Sequence, residues 1–342
     1  MAASKNIDRR AWLGWAAGLV VLPSRAMVRD ERVLFGSPIE LLLPAAAPRD
    51  AREEVLAGLT AMNARWNAWK PGDVDDLNAA LRNGHPHVTP PALRRMIESA
   101  AALERASQGH FNPAIGAWVG GWGFHDDVLR PNDGPDAATI ARWRTQRPSL
   151  QALRLRGNIV SSANRHVQLD FGAYAKGVAL DWALDILARH GVRDALLNLG
   201  GNLAAMGRID GRAWRVGVRD PHGPGLVATV AVQGREAVVT SGRYERWRLA
   251  DGVRRTHILD PATGLPAAEL DSVTVVHPNA ALADAAATAL LVAGPRRWQA
   301  VAAQMGINQA LVIDRQGRQV CTRSLARRSR ASLTADFNDS AD

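Results

Sequence analysis

Apolar residues along the chain recur at spacings that predict both helices and strands. A repeat of three and four residues predicts helices over 50–66, 90–107 and 137–144, the second of which opens on prolines that suit a first helical turn. Short apolar or alternating runs predict strands at 33–43, 167–171, 195–202, 214–218, 227–232, 237–240, 246–249 and 272–277. Because four of these runs follow one another as an antiparallel meander, the pattern predicts an α+β fold rather than strict β-α-β repetition.

One stretch, residues 168–181, predicts a strand, a glycine turn and the start of a helix in immediate succession. The strand breaks at Gly172, and the helix is expected to end at Gly191, where a left-handed cap suits glycine. A helix start presents unpaired N–H groups and a positive dipole end, which suit an anion. Lys176 lies in that first turn, where a cation is favoured only beside a bound anion. The alternative is a solvated lysine at a frayed helix end.

Composition narrows the class of protein without deciding it. The 342 residues, 47% hydrophobic and 22% charged, are typical of a soluble globular protein large enough for a sizeable core. The net charge of +9 would suit nucleic acid, but the arginines are scattered and no nucleic-acid module is present. We therefore expect no nucleic-acid partner.

The two ends of the chain are expected to lie outside the folded domain, which is assigned to residues 27–320. Residues 1–26 resemble a twin-arginine export signal, with Arg9-Arg10 before a short apolar segment that is too short to span a bilayer. An amphipathic helix on a cytoplasmic protein is the alternative. We expect a soluble periplasmic protein without a stable membrane anchor. Residues 321–342 have little apolar periodicity and are expected to be disordered.

A histidine lies close to a turn signal in the second half of the chain. His257 falls on a predicted strand and could act as a general base, or it could be a packed bystander. Asp260 leads into Pro261, which is typical of a type I turn, so its role could be purely structural.

The predicted helix over 281–294 carries two polar side chains on one face. Asp284 and Thr288 are four residues apart, so their oxygens point the same way and could hold a hard divalent cation. Alternatively, Thr288 bonds back to a carbonyl and Asp284 only favours the helix start. Gly200-Gly201 after a buried strand permits close approach of a ligand, or merely a tight turn.

Taken together, these segments resemble the ApbE family, the flavin transferases that move FMN from FAD onto a threonine or serine of a target protein. The resemblance covers roughly residues 33–317 and implies an α+β, T-fold-like architecture of antiparallel sheets with packed helices and a central flavin cleft. It rests on motifs in a fixed order: Trp69-Lys70-Pro71 with Asn78, residues 111–116 with 122–124, residues 170–181, residues 240–246 with 257–266, and Ala283-Asp284 with Thr288-Ala289.

The resemblance also assigns roles. It implies Mg²⁺ held by Asp284, Thr288 and a main-chain oxygen near Ala175, with Lys176 near the diphosphate of the substrate FAD. His257 would activate the acceptor hydroxyl, and Asp260 would shape that site. The remaining residues implied to bind the flavin nucleotide are Trp69, Asn78, Trp122, Tyr174, Gly200, Gly201, Ser241 and Tyr244.

Three positions depart from the family pattern. Asn112 stands where aspartate is common, Ala173 replaces a glycine, and Arg243 stands where an acidic residue is frequent. The acceptor implied by the resemblance is a protein of a membrane redox complex. A hydrolase that splits FAD into FMN and AMP, and a non-catalytic FAD carrier, remain alternatives.

Overall fold

A computed structural model describes residues 27–125, 129, 134–232, 234–250 and 252–330. The predicted export signal at 1–26 and residues 331–342 lie outside the described residues. The helices are α1 Arg49–Arg65, α2 Asp73–Asn83, α3 Pro91–Ala106, α4 Gly116–Gly121, α5 Ala137–Gln146, α6 Ala175–Arg189, α7 Ala280–Ala293, α8 Trp298–Gln304 and α9 Arg323–Ala326. The strands are β1 Met27–Leu34, β2 Ser37–Pro44, β3 His87–Val88, β4 Leu153–Arg156, β5 Ile159–Ser162, β6 Ala195–Leu199, β7 Asn202–Met206, β8 Arg215–Arg219, β9 Leu226–Ala231, β10 Glu236–Gly242, β11 Trp247–Ala250, β12 Val253–Thr256, β13 Leu270–His277, β14 Ala310–Asp314, β15 Gln319–Cys321 and β16 Ser329–Arg330.

The central layer is an eight-stranded antiparallel sheet in the order β1-β2-β6-β7-β10-β13-β14-β15. Side chains alternate across it with the period of two that strands impose. Leu41, Leu43 and Leu197 pack into the large core formed with the helices. Leu42 and Leu196 point to the other face, against the small sheet β16-β9-β8. The predicted α+β class with antiparallel sheets and packed helices is confirmed.

Helices α6 and α7 pack together at their N-terminal ends because a glycine lets them approach. A Cβ on Gly177 would lie 2.7 Å from the Cα of Ala281, so only glycine fits this crossing without a backbone shift. Asp181 accepts hydrogen bonds from the backbone N–H groups of Ala280 and Ala281, each at 2.9 Å. Asp181 of α6 therefore caps the start of α7.

Several predicted elements differ in the structure. The single strand predicted over 33–43 is wrong, because Phe35 and Gly36, with φ of 53° and 68°, turn the chain between β1 and β2. The strand predicted over 167–171 is also wrong, since only Gln168 makes an isolated bridge, to Ile115.

The predicted meander is divided among sheets. β9 pairs with both β8 and β16, β10 enters the central sheet, and β11 pairs only with β12 within the described residues. The disorder predicted from residue 321 is wrong as far as 330, where α9 and β16 form and Leu325 is buried. Helix α2 was not predicted, although Val74, Leu77 and Leu81 bury one face at helical spacing.

In the part of the chain described here, no helix combines the length and apolar character needed to cross a membrane.

Candidate functional site

A buried carboxylate lies where α6 and α7 meet. Asp284 is 3% exposed, and its Oδ2 accepts a 2.9 Å hydrogen bond from the N–H of Gly177. Its Oδ1 accepts a 2.9 Å bond from the side-chain amide of Asn202, at the start of β7. Burial raises the pKa of Asp284, while the charge of Lys176 and these two hydrogen bonds act in the opposite direction. The carboxylate is thus fixed in orientation at both oxygens.

One helical turn further along α7, the hydroxyl of Thr288 lies next to the last residues of strand β10. Its Oγ1 lies 3.1 Å from the Oγ of Ser241, and Thr288 is 9% exposed. Asp284 and Thr288 therefore both make polar contacts from the face of α7 that the sequence predicts they share. Ser241, predicted as a cofactor residue, lies beside the hydroxyl of the predicted metal ligand.

Lys176 is the second residue of α6 and is partly exposed. Its charge lowers the pKa of both Asp284 and His257, so the three groups share one region of the molecule. Helix α6 opens on Ala175, which is 6% exposed; the residue before it supplies no side-chain cap, and the N–H of Gly177 in the first turn donates to Asp284. This is the arrangement of amides and ammonium that an anionic group prefers.

His257 follows β12 directly instead of lying within a strand as predicted. Its Nδ1 lies 2.9 Å from the carbonyl oxygen of Arg246. A carbonyl only accepts, so Nδ1 carries the proton and Nε2 keeps a lone pair in the neutral ring. Burial, together with the charges of Arg246 and Lys176, lowers the pKa of His257 to about 4. The ring is therefore neutral near pH 7 and can accept a proton at Nε2.

Asp260 does not direct its carboxylate at His257. Its Oδ1 accepts from the N–H of Ala262 at 2.9 Å, and its Oδ2 accepts from the hydroxyl of Thr263 at 3.0 Å. Its own carbonyl accepts the N–H of Gly264 at 2.8 Å, which closes the turn. The structural alternative therefore accounts for Asp260: it fixes the turn that follows His257, and no catalytic contact of its carboxylate is seen.

The predicted aromatic neighbours of the nucleotide fall into two groups. Trp69 and Tyr244 are partly exposed, with the indole N–H of Trp69 3.3 Å from Asp170 and the guanidinium of Arg219 5.3 Å from the ring centre of Tyr244. Trp122 and Tyr174 are 4% and 3% exposed and offer almost no free ring surface.

Trp122 belongs to a cluster that we call the aromatic cluster, which also contains Ile115, Trp118, Phe124, Trp143, Ala250 and Leu259. Its indole N–H donates to the carbonyl of Gly264 at 2.9 Å. The ring of Tyr174 lies 5.8 Å from that of Phe111, and burial raises its pKa to about 12. Both residues support the surroundings of the site through packing.

Three further predicted cofactor residues shape backbone. Asn78 is fully buried and grips Leu169 twice, accepting from its N–H at 2.7 Å and donating to its carbonyl at 2.9 Å. It therefore fixes the segment that leads into α6. Gly200 and Gly201 form the β6–β7 turn with φ of 62° and 95°, and a side chain on Gly201 would meet nothing closer than 4.0 Å. The predicted open approach is thus present at Gly201.

The departures from the family pattern each have a local explanation, apart from Ala173. The amide of Asn112 donates to the carbonyl of Pro148 at 2.9 Å, which an ionised aspartate could not do. Arg243 pairs with Asp271 at 2.7 Å, so its guanidinium is directed at a carboxylate of its own chain. Ala173 is partly buried against the large core.

Sequence reasoning missed Asn202 and the packing role of Gly177. Asn202 is 2% exposed. In the sequence it is only an asparagine after a Gly-Gly pair, and asparagine at such a position usually stabilises the turn itself. The signal that could have found it is the strand that begins there, because strands alternate and an asparagine on the helix-facing side needs a buried partner.

The donor set around Asp284 fits a Mg²⁺ ion that is shared with a phosphate. Each carboxylate oxygen has one protein donor and so retains a lone pair, and two hydroxyls lie next to it at Thr288 and Ser241. Among the described residues, no group of three or more His, Cys, Asp or Glu could hold a metal. Mg²⁺ commonly binds one or two carboxylates and completes its shell with substrate phosphates and water, which matches this single-carboxylate set.

Comparisons with known proteins agree on one family. A model described as the ApbE family matches residues 35–312. A FAD:protein FMN transferase of Rhodobacter capsulatus is 41% identical over 318 residues, covering 90% of this chain and 61% of the relative, so the chain spans less than two thirds of that protein. A FAD:protein FMN transferase of Treponema pallidum is 37% identical over 269 residues, covering 73% of each chain.

Solved structures show the same architecture. The ApbE protein of Thermotoga maritima has a TM-score of 0.81 at 26% identity, covering 89% of this chain and 99% of its own. The flavinyl transferase ApbE of Pseudomonas stutzeri, in its apo form, has a TM-score of 0.77 at 28% identity, covering 88% of this chain and 96% of its own. The predicted ApbE-like architecture is therefore confirmed.

Proposed function

Because the chain belongs to the ApbE family, we propose that it is a Mg²⁺-dependent FAD:protein FMN transferase. One observation carries this proposal. The positive charge of Lys176 lowers the pKa of both Asp284 and His257, so it lies close to both. Asp284 is a carboxylate held at each oxygen by a hydrogen bond, and His257 is a neutral histidine whose Nε2 carries a lone pair. A group that binds phosphate charge and a group that accepts a proton are what transfer of a phosphoryl group to a hydroxyl requires.

In the proposed reaction, the oxygen of an acceptor threonine or serine attacks the FMN-side phosphorus of FAD. A phosphorus–oxygen bond to the acceptor forms as the bond to the bridging oxygen breaks, and AMP leaves with that electron pair. The acceptor proton passes to Nε2 of His257, whose Nδ1–H is held by the carbonyl of Arg246. The proton then returns to solvent, which restores the neutral ring.

Charge control is supplied by the chain around this reaction. When bound by Asp284, Thr288 and the main-chain oxygen of Ala175, Mg²⁺ would neutralise charge on the diphosphate. Lys176 contributes a second positive charge from the first turn of α6, where the helix dipole has the same sign. The two hydrogen bonds on Asp284 hold the carboxylate in place before the substrate arrives.

The finer proposals concern place and partner. We propose export to the periplasm by the twin-arginine route, supported by the sequence of residues 1–26, and an acceptor that is a subunit of a membrane redox complex. Both are supported by the sequence resemblance. The alternatives remain an FAD hydrolase, in which water replaces the acceptor hydroxyl, and a carrier that binds FAD without turnover.

The test is an incubation of the purified full-length chain with FAD, Mg²⁺ and a synthetic peptide that carries one threonine among aspartates and small residues. Mass spectrometry should show that the peptide has gained the mass of one FMN less one water, with AMP released in equal amount. Free FMN without labelled peptide would establish the hydrolase instead, and intact FAD would establish the carrier. Addition of EDTA should stop the labelling, and residual labelling in its presence would contradict the Mg²⁺ requirement.

A further inference from the structure

We infer that the outer face of the hairpin β11–β12, formed by Trp247, Leu249 and Arg254, is the docking surface for the acceptor protein. The partner chemistry that fits this face is a segment of apolar and acidic side chains next to the hydroxyl that receives FMN. This inference rests on the proposed function and deepens it by naming where, and by what chemistry, the acceptor is recognised.

The hairpin has one anchored face and one open face. Trp247 pairs with Thr256 and Leu249 with Arg254, so Trp247, Leu249 and Arg254 share a face of the two-stranded sheet. The opposite face carries Arg248 and Ala250, which are 5% and 1% exposed. Ala250 packs in the aromatic cluster, and Arg248 donates to the carbonyl of Trp122 at 2.6 Å. The outer face is therefore presented on a fixed base.

Exposed apolar side chains concentrate around this hairpin. Among the described residues, the large hydrophobic side chains that remain exposed include Trp247 at 36% and Leu249 at 43% on the outer face, and Val253 at 48% on the other face of the same hairpin. Of the others, Val33, Leu226 and Leu265 lie outside the hairpin, and Val88 and Ile159 form a cross-strand pair on another sheet. Single exposed hydrophobic residues are ordinary, but a group of them on one surface is typical of an interaction site.

The outer face begins one residue away from the proposed base. The pair after Trp247 and Thr256 brings Arg246 opposite His257, whose N–H and Nδ1 both lie at hydrogen-bonding distance from the carbonyl of Arg246. His257 follows the end of β12 and is bonded in sequence to Thr256, the partner of Trp247. At about 3.3 Å per residue, a bound segment that crosses the strand edge needs only a few residues to bring a hydroxyl to Nε2.

The charge of the hairpin determines the chemistry of its partner. The guanidinium of Arg254 stacks 3.7 Å from the ring centre of Trp247 on the outer face, whereas Arg255, which pairs with Arg248, lies on the opposite face. The nearby carboxylate of Glu245 already pairs with Arg219 at 2.6 Å. Tryptophan and arginine are the residues that most often dominate binding energy at interfaces. A partner segment with carboxylates and apolar side chains complements this surface.

The test uses two fluorescein-labelled peptides with the same apolar residues and a valine in place of the acceptor threonine, one with acidic and one with lysine flanks. Binding to the full-length chain is measured by anisotropy, and labelling by FMN is measured with the threonine versions. The acidic peptide should bind about tenfold more tightly than the basic one. Trp247→Ala and Leu249→Ser should each weaken its binding, Trp247→Ala by about tenfold, and Arg254→Glu should reverse the preference.

Matched variants on another sheet provide the controls. Val88→Ser removes a 73% exposed apolar side chain, and Arg156→Glu reverses a charge on β4; neither should change peptide binding or its charge preference. FAD binding, followed by flavin fluorescence, should be the same in all of these variants. Equal binding of the two peptides, or hairpin variants that bind as the wild type does, would overturn the docking surface.

Two further outcomes are distinct from these. If the hairpin variants lose only their attachment to vesicles of neutral and anionic phospholipid, the face contacts a membrane, and the docking inference is wrong. If the peptide binds through the hairpin but no FMN is transferred while FAD is present, the proposed function fails although the docking surface stands.

Discussion

Replacement of Asn202 by alanine tests whether the orientation of Asp284 is what prepares the cation site. The amide of Asn202 is the sole side-chain donor found for Oδ1 of Asp284 among the described residues, at 2.9 Å, and both residues are almost fully buried. Without it, Oδ1 loses its donor in a place that water reaches poorly, and the carboxylate is free to rotate about its remaining bond to Gly177.

The size of the effect follows from the kind of bond that is lost. A hydrogen bond to a charged group contributes about 1.5–3 kcal/mol, so the variant should be less stable by that order. Removing a group that orients a metal ligand typically lowers metal affinity by about 10–100-fold, which corresponds to about 1.4–2.8 kcal/mol. Burial already raises the pKa of Asp284, and loss of the amide should raise it further, so the loss of affinity should be larger at pH 6 than at pH 8.

The assay is calorimetric titration of Mg²⁺ into the full-length chain saturated with FAD, with thermal unfolding measured in parallel. Asn198→Ala is the matched control. Asn198 is 1% exposed on the neighbouring strand, where its amide donates to Glu40 and its Oδ1 accepts from the N–H of Gly201, so it stabilises the same hairpin without touching Asp284.

Both variants should unfold at lower temperature, but only Asn202→Ala should lose Mg²⁺ affinity with the predicted pH dependence. If Asn202→Ala bound Mg²⁺ as tightly as the wild type, Asp284 would not depend on Asn202 for its orientation. Equal losses in the two variants would show that hairpin stability, and not the bond to Asp284, controls the site.

Three other changes have definite expected outcomes. Gly177→Ala places a Cβ 2.7 Å from the Cα of Ala281, so we expect a loss of about 1–3 kcal/mol in unfolding free energy and weaker Mg²⁺ binding; an unchanged melting temperature would contradict this packing. His257→Asn can keep the donor to the carbonyl of Arg246 but has no base, so FMN transfer should fall about 10²–10⁴-fold while FAD binding by fluorescence titration is retained; near-normal transfer would exclude His257 as the base. The pKa of His257 is about 4 in the folded chain against an ordinary 6.5, so the unfolded chain binds more protons between these values, and stability should fall as the pH drops from 6.5 to 4 by about 2–3 kcal/mol. Urea unfolding at several pH values measures this, and His257→Asn should show a flatter curve; identical curves would show that other groups carry the acid sensitivity.

The parts of the site that could be predicted from the sequence are those that depend on the periodic spacing of nearby residues. The spacing of Asp284 and Thr288 follows from the helical repeat, and the structure places both on the polar stripe of α7. Helix α6, which begins at Ala175 after Gly172 and ends at Arg189 shortly before Gly191 with its φ of 78°, also follows from short-range signals. Elements of this kind are determined within about one or two turns of sequence.

The rest depends on contacts between distant segments, which no periodicity encodes. Asn202 reaches Asp284 across 82 positions, and Asn78 grips Leu169 across 91 positions. The grip of Asn78 replaces the strand pairing that the apolar run at 167–171 predicts. In the same way, the sequence pattern around an aromatic residue is the same whether its ring contacts a ligand or packs in a core. Sequence alone therefore could not distinguish the buried Trp122 from the partly exposed Trp69.

The two helices that meet at the site differ in which groups accept hydrogen bonds from their first N–H groups, and we expect this difference to determine where an anion binds. The first N–H groups of α7 are accepted by side chains of the protein: Asp181 takes those of Ala280 and Ala281, and Asn279 takes that of Leu282 at 2.6 Å. The dipole of α7 is thereby offset by a carboxylate from α6. In helix α6 the residue before the first turn supplies no side-chain cap, but the N–H of Gly177 donates to Asp284 of α7, and Lys176 adds a positive charge in the same turn. Asp284 offsets part of the positive charge of this turn, and under the proposed function the diphosphate of FAD would bind beside it, next to the carboxylate that Gly177 and Asn202 hold in place.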